Sequence, residues 1–184
     1  TVRCCTQNGI RGGSATVHFP IWHQEIEDIL VLKNNKGTED NRVRKLDYSI
    51  QISKLFYERF ISNDDITLFS PHDVPDLYDN FGTDDFDGLY RTYEQDDSIP
   101  KKRISAQELI LNLLKERAET GRVYIMNIDH CNSHSSFKDK VNMSNLCQEI
   151  TLPTDPLQHI DGAGEIALCI LSAVNVGKLK NLDE

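Results

Sequence analysis

Apolar residues recur along the chain in two periods, and their alternation predicts the elements. A glycine-rich stretch, Cys5 to Ser14, has three glycines among residues 9–13 and reads as a loop, with Ala15 to Phe19 following as a short strand. Trp22, Ile26, Ile29, Leu30 and Leu32 fall at near-helical spacing, and Asn34-Asn35-Lys36-Gly37 ends that helix. Leu46 to Ile61 reads as a second amphipathic helix, with Leu46, Ile50, Leu55, Phe56 and Phe60 inward. Ile66 to Phe69 has a strand's composition, and Ser70-Pro71 supplies a cap and a first-turn proline for a helix over His72 to Phe81. Asp84 to Asp97 carries Phe86, Leu89, Tyr90 and Tyr93 at helical spacing on an otherwise acidic, solvated surface. From Ser105 to Gly121 a capping box (Ser105, Glu108), a stripe of Leu109, Leu113 and Leu114, and a terminal glycine mark the clearest helix. Arg122 to Ile128 reads as a strand, and so does Glu165 to Leu171, in the longest apolar stretch, Ile166 to Val176. Helices alternating with buried strands predict an α/β fold, without repeat, linker or low-complexity tract.

Composition narrows the function classes. The 184 residues are the length of one domain, and a net charge of -9 with a pI near 5.1 argues against nonspecific duplex binding, though not against small nucleotides. No apolar run approaches the roughly 18 residues of a membrane span, and no signal-peptide pattern is present. Five cysteines (Cys4, Cys5, Cys131, Cys147, Cys169) in irregular spacing fit a reducing cytosol better than a disulfide scaffold. Cys131-Asn132-Ser133-His134 offers half a metal site at most, so no metal is expected. The chain opens on Thr1-Val2-Arg3 without an initiator Met and closes on Asn181-Leu182-Asp183-Glu184, which reads as an interior piece of something longer.

The stretch SNLCQEITLP, Ser144 to Pro153, places Asn145, Cys147 and Glu149 at every second position. In an extended segment the three would share a face. A thiolate nucleophile wants a nearby cation, and the nearest charge here is the anionic Glu149, a poor setting for it. A neutral thiol that exchanges a hydrogen atom needs no ionisation, and the carboxylate could then serve as base while the amide holds the substrate. A buried cysteine with incidental polar neighbours remains open on these residues alone.

SNLCQEITLP resembles the finger-loop segment of the large subunit of class I ribonucleotide reductase. TQNGIRGGSAT resembles that family's second specificity loop, and VLKNNKG-x4-NRVRKLDY, DITLFSPHDVPDLYD, TGRVYIMNIDHCNSHS and GEIALCILSAVNVG follow the same family in the same order. The likeness covers essentially the whole chain, 1–184, and is strongest to the aerobic class Ia type. It implies a central part of the family's ten-stranded α/β barrel, with a radical cysteine on an inserted loop.

By resemblance, Cys147 is the cysteine that becomes a thiyl radical and takes the hydrogen from C3′ of the ribose. Glu149 is the base toward the 3′-hydroxyl, Asn145 hydrogen-bonds the sugar, and Cys169 is half of the redox pair that forms a disulfide. Gln7, Gly9, Arg11, Gly12 and Gly13 match the specificity loop, with Gln7 and Arg11 reaching the substrate base. The family implies reduction of ribonucleoside diphosphates, dNTP/ATP effectors, and a homodimer of large subunits. It also implies a small subunit with a dimetal-tyrosyl radical, thioredoxin or glutaredoxin as reductant, no nucleic-acid or membrane partner, and a cytoplasmic setting. The other half of the Cys169 pair, the activity domain, the radical-path tyrosines and the shuttle cysteines find no match in the chain. Alternatives are a non-catalytic nucleotide-binding or assembly segment of a split reductase, and the cobalamin-dependent relative, against which NLCQE and DITLFSPHDVP weigh.

Overall fold

The structure, a computed structural model, describes residues 2–6, 8–157, 159, 162 and 164–178 and divides into two units, Thr1–Pro153 and Thr154–Glu184. The described residues of the first unit form strands β1 (Thr16–Pro20), β2 (Asp47–Ile52), β3 (Asp65–Phe69), β4 (Lys101–Ser105) and β5 (Val123–Asn127). Its helices are α1 (Ile26–Leu30), α2 (Lys54–Ser62), α3 (Pro75–Asn80), α4 (Phe86–Gln95), α5 (Ala106–Thr120) and α6 (Ile128–Ser133). Strands β1, β2 and β5 make a parallel sheet with β2 central, and β3 and β4 make an antiparallel pair.

The sheet corrects the reading of Leu46 to Ile61 as one helix. Asp47–Ile52 is a strand, and only Lys54–Ser62 is helical. All six residues of β2 are buried, as a central parallel strand requires. Its sequence, DYSIQI, alternates polar and apolar with period two, so Tyr48, Ile50 and Ile52 share one face and Asp47, Ser49 and Gln51 the other. The i, i+4 spacing from Leu46 to Ile50 mimics a helix, but a parallel partner on each edge decides the conformation. The α2 N-terminus is capped from outside, where Asp129 Oδ2 accepts from the Lys54 backbone N–H at 2.7 Å.

Two helices are shorter than their patterns predict. Phe69 N donates to Trp22 O at 2.8 Å and Gln24 N to Phe69 O at 2.8 Å, so residues 22–24 line the edge of β3 and α1 begins only at Ile26. The predicted helix from His72 begins at Pro75, because a residue before proline avoids helical dihedrals and Val74 sits at φ -134°, ψ 59°. The α5 reading holds. Ser105 Oγ accepts from Glu108 N, Gly121 takes φ +67°, and Leu109 and Leu113 are buried, while Leu114 is exposed. Neither β4, whose charged KKRIS sequence gives no strand signal, nor α6 is predicted.

The core is aromatic at its centre. Phe56 packs edge-on against Phe81 and Tyr90, and Trp22 and Phe69 close the cluster. Tyr90 also completes the edge of β3. Its hydroxyl donates to Thr67 O at 2.7 Å and accepts from Thr67 N at 2.8 Å, standing in for a neighbouring strand.

In the second unit the described residues contain one 3-10 turn, Val176–Lys178, and no strand. The expected buried strand Glu165 to Leu171 is therefore overturned: Ile166, Leu168 and Ile170 are 69%, 82% and 93% exposed. A strand of that composition forms by pairing along its edges and covering its faces, and the unit's described residues offer no strand to pair with.

Replacing Tyr90 with Phe should strand both backbone groups of Thr67. Urea unfolding is expected to show a loss of about 2–4 kcal/mol with m unchanged, whereas a loss under about 0.5 kcal/mol would remove the edge-completing role.

Candidate active site

The register places Thr16 opposite Asp47 and His18 opposite Ser49, so the polar face of β2 continues onto β1. Buried polar side chains need hydrogen-bond partners, and the segment from Val141 to Thr151 supplies them. Gln51 Nε2 donates to Asn142 O at 2.5 Å, and Gln148 Nε2 donates to Ser49 Oγ. Thr16 Oγ1 donates to Leu146 O at 2.6 Å, and His18 Nε2 lies 3.2 Å from Ser144 O. Asn142 therefore sits over the C-terminal end of β2 and Leu146 over the start of β1, so the loop runs back across the sheet against the strand direction. Val141, wholly buried, roots it.

Within the loop, Cys147 occupies a tight turn. Gln148 N donates to Asn145 O at 3.2 Å, and Gln148 takes φ +68°, in the left-handed region. The turn is closed twice at its base, where Asn145 N donates to Ile150 O at 3.2 Å and Ile150 N donates to Asn145 Oδ1 at 3.0 Å. Ser144 Oγ adds a bond to Ile150 O at 2.6 Å. The alternation of Asn145, Cys147 and Glu149 thus does not lie along an extended segment, because the chain reverses through 146–148. The three residues still share one six-residue loop, with the Cys147 thiol and Glu149 exposed and Asn145 half-buried.

Asn145 has its two amide ends in different circumstances. Its Oδ1 accepts from Ile150 N, which identifies that atom as oxygen, and Nδ2, a donor, makes no bond among the described residues. Beside the loop, a cavity of about 510 Å³ is lined by Met126 and Asn127 at the C-terminal end of β5, His130 and Cys131 of α6, Gln148 and Thr151. Such a place, outside the carboxyl ends of parallel strands, is where open α/β sheets hold ligands. Burial, with Asp129 adding to it, pushes the Cys131 thiol pKa up, so that cysteine stays neutral. Among the described residues no three His, Cys, Asp or Glu side chains converge as metal ligands.

The glycine-rich loop leads directly into β1. Asn8 and Gly9 both take positive φ, 51° and 72°, and Arg11 is exposed. Gly12 has open space around its Cα. At Gly13 a Cβ would stand 2.4 Å from Val2 O and 2.5 Å from Cys5 O, so only glycine lets residues 2–5 fold against the loop's base. Gln7 lies outside the described residues. Cys169 belongs to the second unit, where its thiol is exposed. The loop anchors Thr16, Ser49, Gln51 and Gln148 do not emerge as site residues from the sequence. Their signal is the period-two polar alternation inside DYSIQI.

Comparison with known proteins gives a match over residues 1–184 to the family model described as ribonucleotide reductase, barrel domain. The ribonucleoside-diphosphate reductase subunit alpha of Haemophilus influenzae is 58% identical over 99% of this chain and 25% of its own length. The ribonucleoside-diphosphate reductase 1 subunit alpha of Escherichia coli is 57% identical over 85% of this chain and 21% of its own, and the ribonucleoside-diphosphate reductase subunit alpha of Enterobacteria phage T4 is 49% identical over 94% and 23%. The chain spans about a quarter of the length of these curated relatives.

Asn145→Ala should open the loop's base. Amide exchange at Ile150 and Asn145 is expected to accelerate roughly tenfold, as for one lost hydrogen bond, while Asn145→Asp, which keeps the acceptor, should leave it near wild type. Equal acceleration in both variants would refute the Oδ1 assignment.

Proposed function

The chain belongs to the ribonucleotide reductase family, as part of its α/β barrel domain, and from that premise we propose that it is the radical-cysteine portion of a ribonucleoside-diphosphate reductase alpha chain. The observation that carries this reading is the exposed Cys147 at a turn in a loop that is tied to the polar face of the sheet by three backbone carbonyls and the Gln148 side chain. A thiol meant to exchange a hydrogen atom with a bound ribose must be held at fixed distance while staying open to the substrate, and this loop is rigid at its base and open at its tip.

In the proposed reaction the Cys147 thiyl, generated by a separate small subunit, takes the hydrogen atom from C3′ and becomes a thiol, leaving the unpaired electron on C3′. Glu149 takes the proton of the 3′-hydroxyl, and the C2′ hydroxyl departs as water. Two electrons and two protons come from Cys169 and a second cysteine as they form a disulfide, one proton leaving in the water and the other ending as hydrogen on C2′. The hydrogen atom then returns from Cys147 to C3′, restoring the thiyl, and Glu149 returns its proton to the 3′-oxygen. Asn145 holds the sugar through Nδ2, the donor that no described residue engages. A thioredoxin or glutaredoxin would re-reduce the pair. In the glycine-rich loop, Gly9, Gly12 and Gly13 would let the backbone reshape with the bound dNTP or ATP effector while Gln7 and Arg11 address the substrate base. The alpha chain would work as a homodimer. No helix among the described residues is long and apolar enough to cross a membrane, and five free thiols suit the reducing cytosol.

In the full alpha chain carrying this segment, assayed with its small subunit and a dithiol reductant, Cys147→Ser should reduce turnover to background with substrate binding retained. Turnover in that variant would contradict the mechanism. Turnover that needs cobalamin rather than the small subunit would instead favour the cobalamin-dependent relative.

A further inference from the structure

Two of the four hydrogen bonds that hold the Cys147 loop come from β1, the strand into which the glycine-rich loop leads. Thr16 Oγ1 donates to Leu146 O at 2.6 Å, and His18 Nε2 is 3.2 Å from Ser144 O. These two carbonyls flank Asn145, and that of Leu146 belongs to the peptide bond joining Leu146 to Cys147. A carbonyl only accepts, so the His18 ring carries its hydrogen on Nε2. The other ring nitrogen, Nδ1, is then a bare lone pair, and it is buried without a partner among the described residues. A buried unpaired acceptor is destabilising, and a leucine or phenylalanine at position 18 would avoid it. What the imidazole contributes in exchange is the donor on Ser144. Burial, opposed by the weaker pull of that carbonyl, pushes the ring pKa down, in keeping with a neutral ring.

Upstream, the path to the glycine-rich loop is short and braced. Gly13 is wedged against the carbonyls of Val2 and Cys5, and Ala15 O accepts from Asp47 N at 3.0 Å, locking the next residue to β2. Only three peptide bonds separate Gly13 from Thr16. Thr16 thus starts β1 from a braced base, and it holds the peptide beside Cys147.

We propose that Thr16 and His18 are positioning residues that set the placement of Cys147. The role in turnover rests on the reading of Cys147 as the radical cysteine. The role in holding the loop does not.

The test compares four variants in the full alpha chain with its small subunit. Thr16→Val removes the donor at nearly constant shape, and Thr16→Ser keeps it. His18→Leu removes the ring donor, and His18→Gln keeps an N–H within reach. Thr16→Val and His18→Leu are expected to lower kcat roughly tenfold or more with KM changed by less than about twofold, as for a misplaced reacting group. They should also speed amide exchange at Asn145 and Ile150. Thr16→Ser and His18→Gln should recover most of each effect. Unchanged kcat and unchanged exchange in both Thr16→Val and His18→Leu, beside an active wild type, would overturn the proposal. A wild type without turnover would refute the reductase reading instead, and the exchange rates would still decide whether β1 holds the loop.

Discussion

The structure around the site depends on one constraint: a row of polar side chains inside a sheet must find hydrogen-bond partners. Thr16 and His18 on β1 and Ser49 and Gln51 on β2 lie on one face of buried or half-buried strands. Left unpaired, each would weigh against folding by an amount comparable to the whole contribution of a packed methylene or two. The backbone carbonyls of Asn142, Ser144 and Leu146, with the Gln148 side chain, satisfy that row and are themselves fixed by it. A loop that would otherwise be a solvated connection is thereby drawn along the sheet, and its turn presents a cysteine. The inner face is polar because the loop must be held there.

The same constraint explains what the sequence reveals and what it conceals. The α5 helix is legible because its signals are local: Ser105 caps it, Gly121 ends it, and its stripe meets the core. The β2 strand is concealed because its decisive partners are distant. Ser49 and Gln51 bond to residues 99 and 91 positions away, and without them a run of Leu46, Ile50, Leu55 and Phe56 scans as a helix. Likewise α1 is cut short by a contact between Trp22–Gln24 and Phe69 that no window of a dozen residues contains. Val74 is the opposite case, since the restraint that the following proline places on it is written in the sequence.

For the site, residue types are easier to read than their arrangement. Asn145, Cys147 and Glu149 stand out by composition and by family resemblance, but the period-two spacing gives the wrong geometry, because Gln148 at φ +68° turns the chain between them. That turn changes the chemistry open to Asn145. With Oδ1 holding Ile150 N, Nδ2 is the end that no described residue engages, and it is the donor Asn145 has left for a ligand. The apolar run from Ile166 is misleading for a related reason. Its composition suits a buried strand, yet burial is conferred by neighbours, and among the described residues Ile170, 93% exposed, has none to cover it. Where a motif's conformation is set by its own residues the sequence carries it, and where it is set by partners across the fold it does not.

The central claim is that the loop held by β1 and β2 presents Cys147 to a ribose. Its most direct test is the structure of the full alpha chain with a ribonucleoside diphosphate bound. The account predicts Cys147 Sγ in van der Waals contact with C3′, at about 4 Å, Asn145 Nδ2 donating to a sugar hydroxyl, and Asn145 Oδ1 still on Ile150 N. A ribose bound away from Cys147, or an Asn145 that releases Ile150 to reach the sugar with its oxygen, would contradict it.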